Sequence, residues 1–233
     1  MEIKNDLCIG CAQCVIICPV QAIKLIDDKA FINEEQCVEC AVCYRDAECP
    51  VNAIRSRRLK WPRIIRSPLS NVIAPHKITG IPGRGTEEMK TNDLTNRYEI
   101  GEVGICIEIG RPGIGTYLRN IELFTIELAR LGVEFEPKSP VTAIIIDEEG
   151  NIKDDIKNEK VLSAFIEMKV SENKLNKILD VIKELDKKID TVFSVGIISR
   201  VRESGDISII DIITQKGFNV RPNAKINIGL GKP

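Results

Sequence analysis

Two hydrophobic periods alternate along the second half of the chain, and their alternation marks out elements. "GEVGICIEIG" (101–110) reads as a strand ending at glycine. From Thr116 to Leu131, Tyr117, Ile121, Phe124, Leu128 and Leu131 fall on one face of a helix that Gly132 ends. "VEFE" from Val133 and "VTAIIID" from Val141 read as strands, and the acidic stretch from Asp147 to Glu159, turning at Gly150 and Asn151, reads as an exposed excursion. "VLSAFIEMKV" (161–170) is a further strand. Ser171 is placed to cap a helix whose Leu175, Ile178, Leu179, Ile182 and Leu185 recur at helical spacing, and "TVFSVGIIS" from Thr191 follows as a buried strand. The order contains βαββαβ, with a further helix and strand at the end.

Neither period runs through the segment before Gly101. Prolines at 62, 68, 75 and 82 and glycines at 80, 83 and 85 break any helix, which predicts an extended, irregular connector over residues 58–100. Its charge is one-sided. From Arg55 to Thr86 there is no acidic residue, while Arg55, Arg57, Arg58, Lys60, Arg63, Arg66, Lys77 and Arg84 are basic and Trp61 stands among them. Three uses fit such a patch: binding phosphate or another anion, docking an acidic partner, or binding nucleic acid. A fourth reading is a linker whose cations neutralise the domain beside it. "GIPGRG" (80–85) has glycines that let backbone amides approach an anion, but it matches neither a Walker A loop nor a dinucleotide fingerprint. The only histidine, His76, lies in this connector as a candidate proton donor, with an ordinary loop residue as the alternative.

The densest chemistry lies at the N-terminus. "CIGCAQCVIICPV" (8–20) places Cys8, Cys11, Cys14 and Cys18 in a tight run closed by Pro19, and "CVECAVCYRDAECPV" (37–51) repeats it with Cys37, Cys40, Cys43, Cys49 and Pro50. Eight of the nine cysteines precede residue 50, unlike the spread of a disulfide scaffold. Structural zinc sites bring two C-x2-C knuckles together, whereas C-x2-C-x2-C supplies three thiolates from one loop to the corner of a cubane.

Residues 1–57 thus resemble a bacterial-type ferredoxin domain with two 4Fe-4S clusters, including the repeat "CPVQAI" (18–23) and "CPVNAI" (49–54). The resemblance implies crossed ligation: Cys8, Cys11, Cys14 and Cys49 for one cluster, and Cys37, Cys40, Cys43 and Cys18 for the other. One departure is visible. The last gap of the second run holds five residues, Tyr44 to Glu48, where the usual run has three. Ile9, Val15, Ile16, Ile17, Val38 and Val42 are placed to shield the clusters from water.

The second domain offers no Ser-His-Asp set, and Cys106, mid-strand among isoleucines, reads as a small buried hydrophobe. "GRPGIG" (110–115), before the first helix, is a candidate anion cradle with Arg111, or simply a strand-to-helix turn. "SPLSNVIAPHKITGIPGRGTEEMKTNDLT" (67–95), "GRPGIGTYLRNIE" (110–122) and "RPNAKINIGLGKP" (221–233) are similar to segments of 6-hydroxynicotinate reductase-like iron–sulfur proteins. That similarity implies an anaerobic reductase system acting on an activated ring or unsaturated carbonyl, without carrying over catalytic residues.

The expected fold is α+β: a ferredoxin domain (1–57), a basic connector (58–100) and an α+β domain (101–233) of ferredoxin-like βαββαβ order. No apolar run approaches the roughly 18 residues of a membrane span, and the start lacks a secretory layout, so a cytoplasmic protein is expected. The leading function is electron relay through two 4Fe-4S clusters to a partner oxidoreductase or larger reductase complex. Two alternatives are a reductase with its own pocket and an iron–sulfur nucleic-acid-binding protein.

Overall fold

The computed structural model describes residues 1–77, 80, 96–207 and 209–219. The expected terminal strand, Arg84 and residues 81–85 of the glycine loop lie outside these.

The cysteine-rich segment folds as two similar halves. Each half carries its three-cysteine arc into a short helix, α1 (Gln13–Ile16) and α2 (Val42–Asp46). Strands β2 (Ile23–Ile26) and β3 (Lys29–Ile32) form an antiparallel hairpin, and β1 (Glu2–Ile3) pairs antiparallel with β4 (Ile54–Arg55), tying the start of the segment to its end. Cys8, Cys14, Ile23, Ala30, Ile32, Cys43, Ala47, Ala53 and Ile54 form its small core.

The connector is not a free linker. A 3-10 turn at Arg63–Arg66 follows Pro62, and Leu69 is buried in the core of the second domain. Leu162 N–H donates to Ser70 Oγ at 2.8 Å, and the Trp61 indole donates to Asp155 at 2.5 Å. Three of the basic residues, Arg57, Arg63 and Arg66, are committed within the chain, to Glu34, Glu39 and Glu159, which fits cations that neutralise the neighbouring domain better than an open patch.

Among the described residues the second domain is built on a four-stranded antiparallel sheet. Its strands are β5 (Glu102–Ile109), β7 (Glu134–Phe135), β9 (Ala164–Ser171) and β10 (Phe193–Ser199), in the spatial order β10-β5-β9-β7. A minor pair joins β6 (Thr116–Tyr117) to β8 (Lys160–Val161). Helix α3 (Leu118–Arg130) lies between β6 and β7, α4 (Leu175–Asp186) between β9 and β10, and α5 (Ile209–Gln215) follows β10. Alternation along β5 turns Val103, Ile105, Ile107 and Ile109 to one face, all fully buried. Against that face α3 sets Leu118, Ile121, Phe124 and Leu128, and α4 sets Leu175, Ile178, Leu179, Ile182 and Leu185. The rings of Phe124 and Phe193 meet edge to face at 5.3 Å.

Four expectations fail here. "VTAIIID" is a 3-10 turn (Thr142–Ile144), not a strand: Val141 and Ile144, three residues apart, are both buried, which suits a three-residue repeat, while Ile146 is exposed. Tertiary packing overrides β-propensity at this point. The acidic excursion is anchored as well, because Ile152 and Ile156 insert into the core and Ile152 N–H donates to Glu122 at 3.0 Å. The strand expected over 161–170 is broken at Leu162 and Ser163 into β8 and β9. Ser171 precedes a 3-10 turn (Glu172–Lys174) without capping it; its hydroxyl meets Asn173 Oδ1 at 2.7 Å.

Candidate metal centre

Consecutive cysteines only three residues apart can face one space if the backbone between them reverses, and left-handed residues do this in both halves. Gly10 (φ 72°) and Ala12 (φ 62°) lie in the first arc, and Glu39 (φ 57°) and Ala41 (φ 59°) hold the equivalent places in the second. After the fourth cysteines the repeat continues, with Gln21 at φ 52° and Asn52 at φ 47°. Gly10 has a second reason to be glycine, because a Cβ there would stand 2.4 Å from the carbonyl oxygen of Asp28 in the β2–β3 turn.

The arcs form two cups with exchanged fourth members. Cys8, Cys11, Cys14 and Cys49 line the first, with Ile3, Ile9, Ala30 and Ile54 in its apolar wall. Cys18, Cys37, Cys40 and Cys43 line the second, with Val20, Ile23, Ile32 and Val38. Among the described residues no group of three His, Cys, Asp or Glu is placed to hold a single metal ion.

Backbone amides aim at the sulfurs. Ala22 N–H donates to Cys18 Sγ at 3.2 Å and Ala53 N–H to Cys49 Sγ at 3.3 Å, the same bond in each copy of the repeat, and Ala30 N–H donates to Cys8 Sγ at 3.3 Å. The Ala30 amide holds the Cys8 thiol below its usual range. Burial raises Cys14, Cys37 and Cys40, and pushes Cys43 up to about 12.

The two additional residues before Cys49 are absorbed locally. Helix α2 runs one residue longer than α1, Glu48 takes a left-handed φ of 45°, and the Gln13 amide, with its nitrogen turned to the loop, reaches the Ala47 and Glu48 carbonyls at 2.6 and 2.8 Å. Cys49 still reaches the first cup.

Several residues at the second cup were not placed there by the sequence. Glu39, almost fully buried, accepts from the N-terminal amine of Met1 and pairs with Arg63 at 2.7 Å and Arg57 at 3.7 Å. Arg66, also buried, pairs with Glu159 and donates to the carbonyls of Glu34, Glu35 and Cys37 at 3.0, 3.1 and 2.6 Å. Gln36 bridges to the second domain, accepting from Lys160 at 2.5 Å and donating to Tyr117 at 3.4 Å. The signal for Glu39 was its place in the repeat, where the first half has Gly10.

Other candidates stand apart from the cups. His76 is buried, and burial lowers its pKa. Cys106 lies half-buried on β5, on the face opposite Ile105 and Ile107. In "GRPGIG", Gly110 and Gly115 have φ of 101° and 73°, Arg111 reaches Glu108 at 3.5 Å, and β6 intervenes before α3, so the loop makes a turn rather than a cradle at a helix start.

Comparisons with known proteins agree with the N-terminal geometry. The family described as "4Fe-4S binding domain" matches residues 1–24. Ferredoxin-1 of Caulobacter vibrioides is 38% identical over 55 residues, 23% of this chain and 47% of that protein. Formate hydrogenlyase subunit 2 of Escherichia coli is 39% identical over 72 residues (29% and 34%), and pyruvate synthase subunit PorD of Methanocaldococcus jannaschii is 39% identical over 57 residues (24% and 64%). The chain spans less than two thirds of the length of each of these relatives. No solved structure matches the chain. Among the described residues no helix is long and apolar enough to cross a membrane. With cysteine-lined cups, repeated arcs and these relatives in agreement, roughly the first 55 residues are a bacterial-type ferredoxin domain that binds 4Fe-4S.

Proposed function

We propose that this chain is an electron-relay protein with two 4Fe-4S clusters, one on Cys8, Cys11, Cys14 and Cys49 and the other on Cys18, Cys37, Cys40 and Cys43. It passes low-potential electrons to a partner oxidoreductase. The single observation that carries the reading is the crossed lining of the two cups. Two arcs of three closely spaced cysteines, each completed by a cysteine of the other half, suit a cubane better than a lone zinc ion. Each bound cluster supplies one-electron chemistry at a potential set by charge, hydrogen bonds to sulfur and exposure. The chain's own residues adjust all three. Apolar side chains line both cups, with Cys11 and Ile9 of the first exposed, the amides of Ala22, Ala30 and Ala53 favour added negative charge, and the cations around Glu39 offset charge near the second cup.

We divide the chain into a ferredoxin domain (1–57), a basic connector (58–100) and a second domain (101–233), and read the second as ferredoxin-like. The sequence of β5, α3, β7, β9, α4 and β10 supports that reading. Two relatives are named as subunits, which supports a place in a larger assembly. The resemblance of residues 67–95, 110–122 and 221–233 to 6-hydroxynicotinate reductase-like proteins favours a reductase as the acceptor, although residues 78–79, 81–95 and 221–233 lie outside the described ones.

Anaerobic titration with a one-electron reductant tests the reading. Uptake should reach about two electrons per chain, one per cluster. A protein that takes up none, with zinc in place of iron, would remove it.

A further inference from the structure

Where the second domain meets the second cup, it brings a cation. The 113–115 turn runs against Pro19 and Val20: a Cβ on Gly113 would lie 3.6 Å from the Pro19 carbonyl oxygen, and one on Gly115 would lie 3.4 Å from Val20 and 3.2 Å from Lys160 Cε. Lys160 stands on β8, paired with Tyr117 of β6, and its half-buried ammonium donates to Gln36, the residue before Cys37, at 2.5 Å. Gln36 in turn donates to the Tyr117 hydroxyl at 3.4 Å, which leaves its amide oxygen for Lys160. Burial lowers the Lys160 pKa and the Arg66 charge adds to this, while Asp190 and Cys18 favour the charged ammonium. Lys160 is therefore tied to the neighbour of one second-cup ligand and within electrostatic reach of another.

Other cations around this cup are matched by carboxylates. Arg57 and Arg63 pair with Glu34 and Glu39, Arg66 pairs with Glu159, and Arg45 lies 4.0 Å from Asp46. Such pairs add little net charge. Lys160 forms no ion pair with a carboxylate among the described residues; Asp190, which acts on it from a distance, is exposed and accepts from Asn120 at 2.8 Å. A cluster takes on one negative charge when it is reduced, so an unmatched cation nearby favours the reduced form. The first cup draws its cation from within the ferredoxin domain, where Lys29 is engaged with the Cys8 carbonyl.

We propose that Lys160 of the second domain raises the potential of the cluster on Cys18, Cys37, Cys40 and Cys43, so that the second domain sets the level at which this cluster accepts an electron. This rests on the electron-relay reading. Lys160 is a positioning residue: its charge acts through space and through Gln36, and it neither binds iron nor moves a proton.

Potentiometric titration of the anaerobic holoprotein, followed by electron paramagnetic resonance, tests the assignment. Lys160→Met should make reduction of one cluster about tenfold less favourable, a fall of about 59 mV for one electron, and leave the other cluster unchanged. Lys29→Met should lower the other potential instead. Lys160→Arg should keep both potentials near those of the parent, and Lys187→Met, at an exposed cation of the second domain, should move neither. A Lys160→Met protein with both potentials unchanged, with both lowered alike, or with the same one lowered as in Lys29→Met would overturn the assignment. If Lys160→Met loses iron, Asp190→Asn decides, because it keeps Lys160 and removes the opposing charge. The potential that Lys29→Met leaves alone should then rise above the parent's, and no rise would overturn the assignment. A parent protein with its iron in place that shows no reducible cluster would instead remove the relay reading itself.

Discussion

Arg66 donates to the carbonyl oxygen of Cys37 at 2.6 Å, so a connector residue fixes the backbone at the first cysteine of the second cup. The same guanidinium holds the carbonyls of Glu34 and Glu35 and pairs with Glu159 of the second domain. One planar fork with five donors thereby joins three parts of the chain.

Replacing Arg66 should therefore be costly. Arg66→Ala leaves Glu159 and three carbonyls without their partner in a buried setting and should destabilise the protein by roughly 3–5 kcal/mol. Arg66→Lys should recover only part, because an ammonium cannot span the same acceptors. Urea unfolding measures both; a change within about 0.5 kcal/mol, as for an ordinary surface substitution, would contradict the pairing.

Much of this arrangement was legible in the sequence, and the exceptions share a cause. The cysteine spacing pointed to the four-thiol sets, and the helical repeats of Ile121, Phe124 and Leu128 and of Ile178, Leu179 and Ile182 marked faces that are buried. These signals are local. The partners of Arg57, Arg63 and Arg66 are not: each lies at least 23 residues away, so a run of cations read as an open patch when its counter-charges come from the ferredoxin and second domains. Val141 to Ile146 failed for a related reason, since β-branched residues extend or coil according to what covers them. Cations were visible; their partners were not.

The acidic excursion offers a core test. Ile156 is fully buried there, so Ile156→Ala should cost about 2–5 kcal/mol in thermal or urea unfolding. An exposed excursion would show almost no change.

At Gly10 the first cup depends on a residue without a side chain. Gly10→Ala combines a left-handed backbone with a contact of 2.4 Å to Asp28 O and should cost at least about 1–3 kcal/mol. Iron bound by the Cys8 arc should fall while the Cys37 arc keeps its share, as resolved by Mössbauer spectroscopy. Full iron in both would show that the arc relaxes freely.

Crossed ligation makes a separate prediction for Cys49. Cys49→Ala should disturb the centre of Cys8, Cys11 and Cys14 and spare that of Cys37, Cys40 and Cys43, with the remaining signal following the second set in electron paramagnetic resonance. Loss of the Cys37 centre instead would reverse the assignment.

Iron and acid-labile sulfide measured per chain in anaerobically purified protein test the central claim most directly. Two four-iron cubanes on eight cysteines predict about eight of each. About four of each would leave one cup without its cluster, and stoichiometric zinc with little sulfide would contradict the electron-relay account altogether.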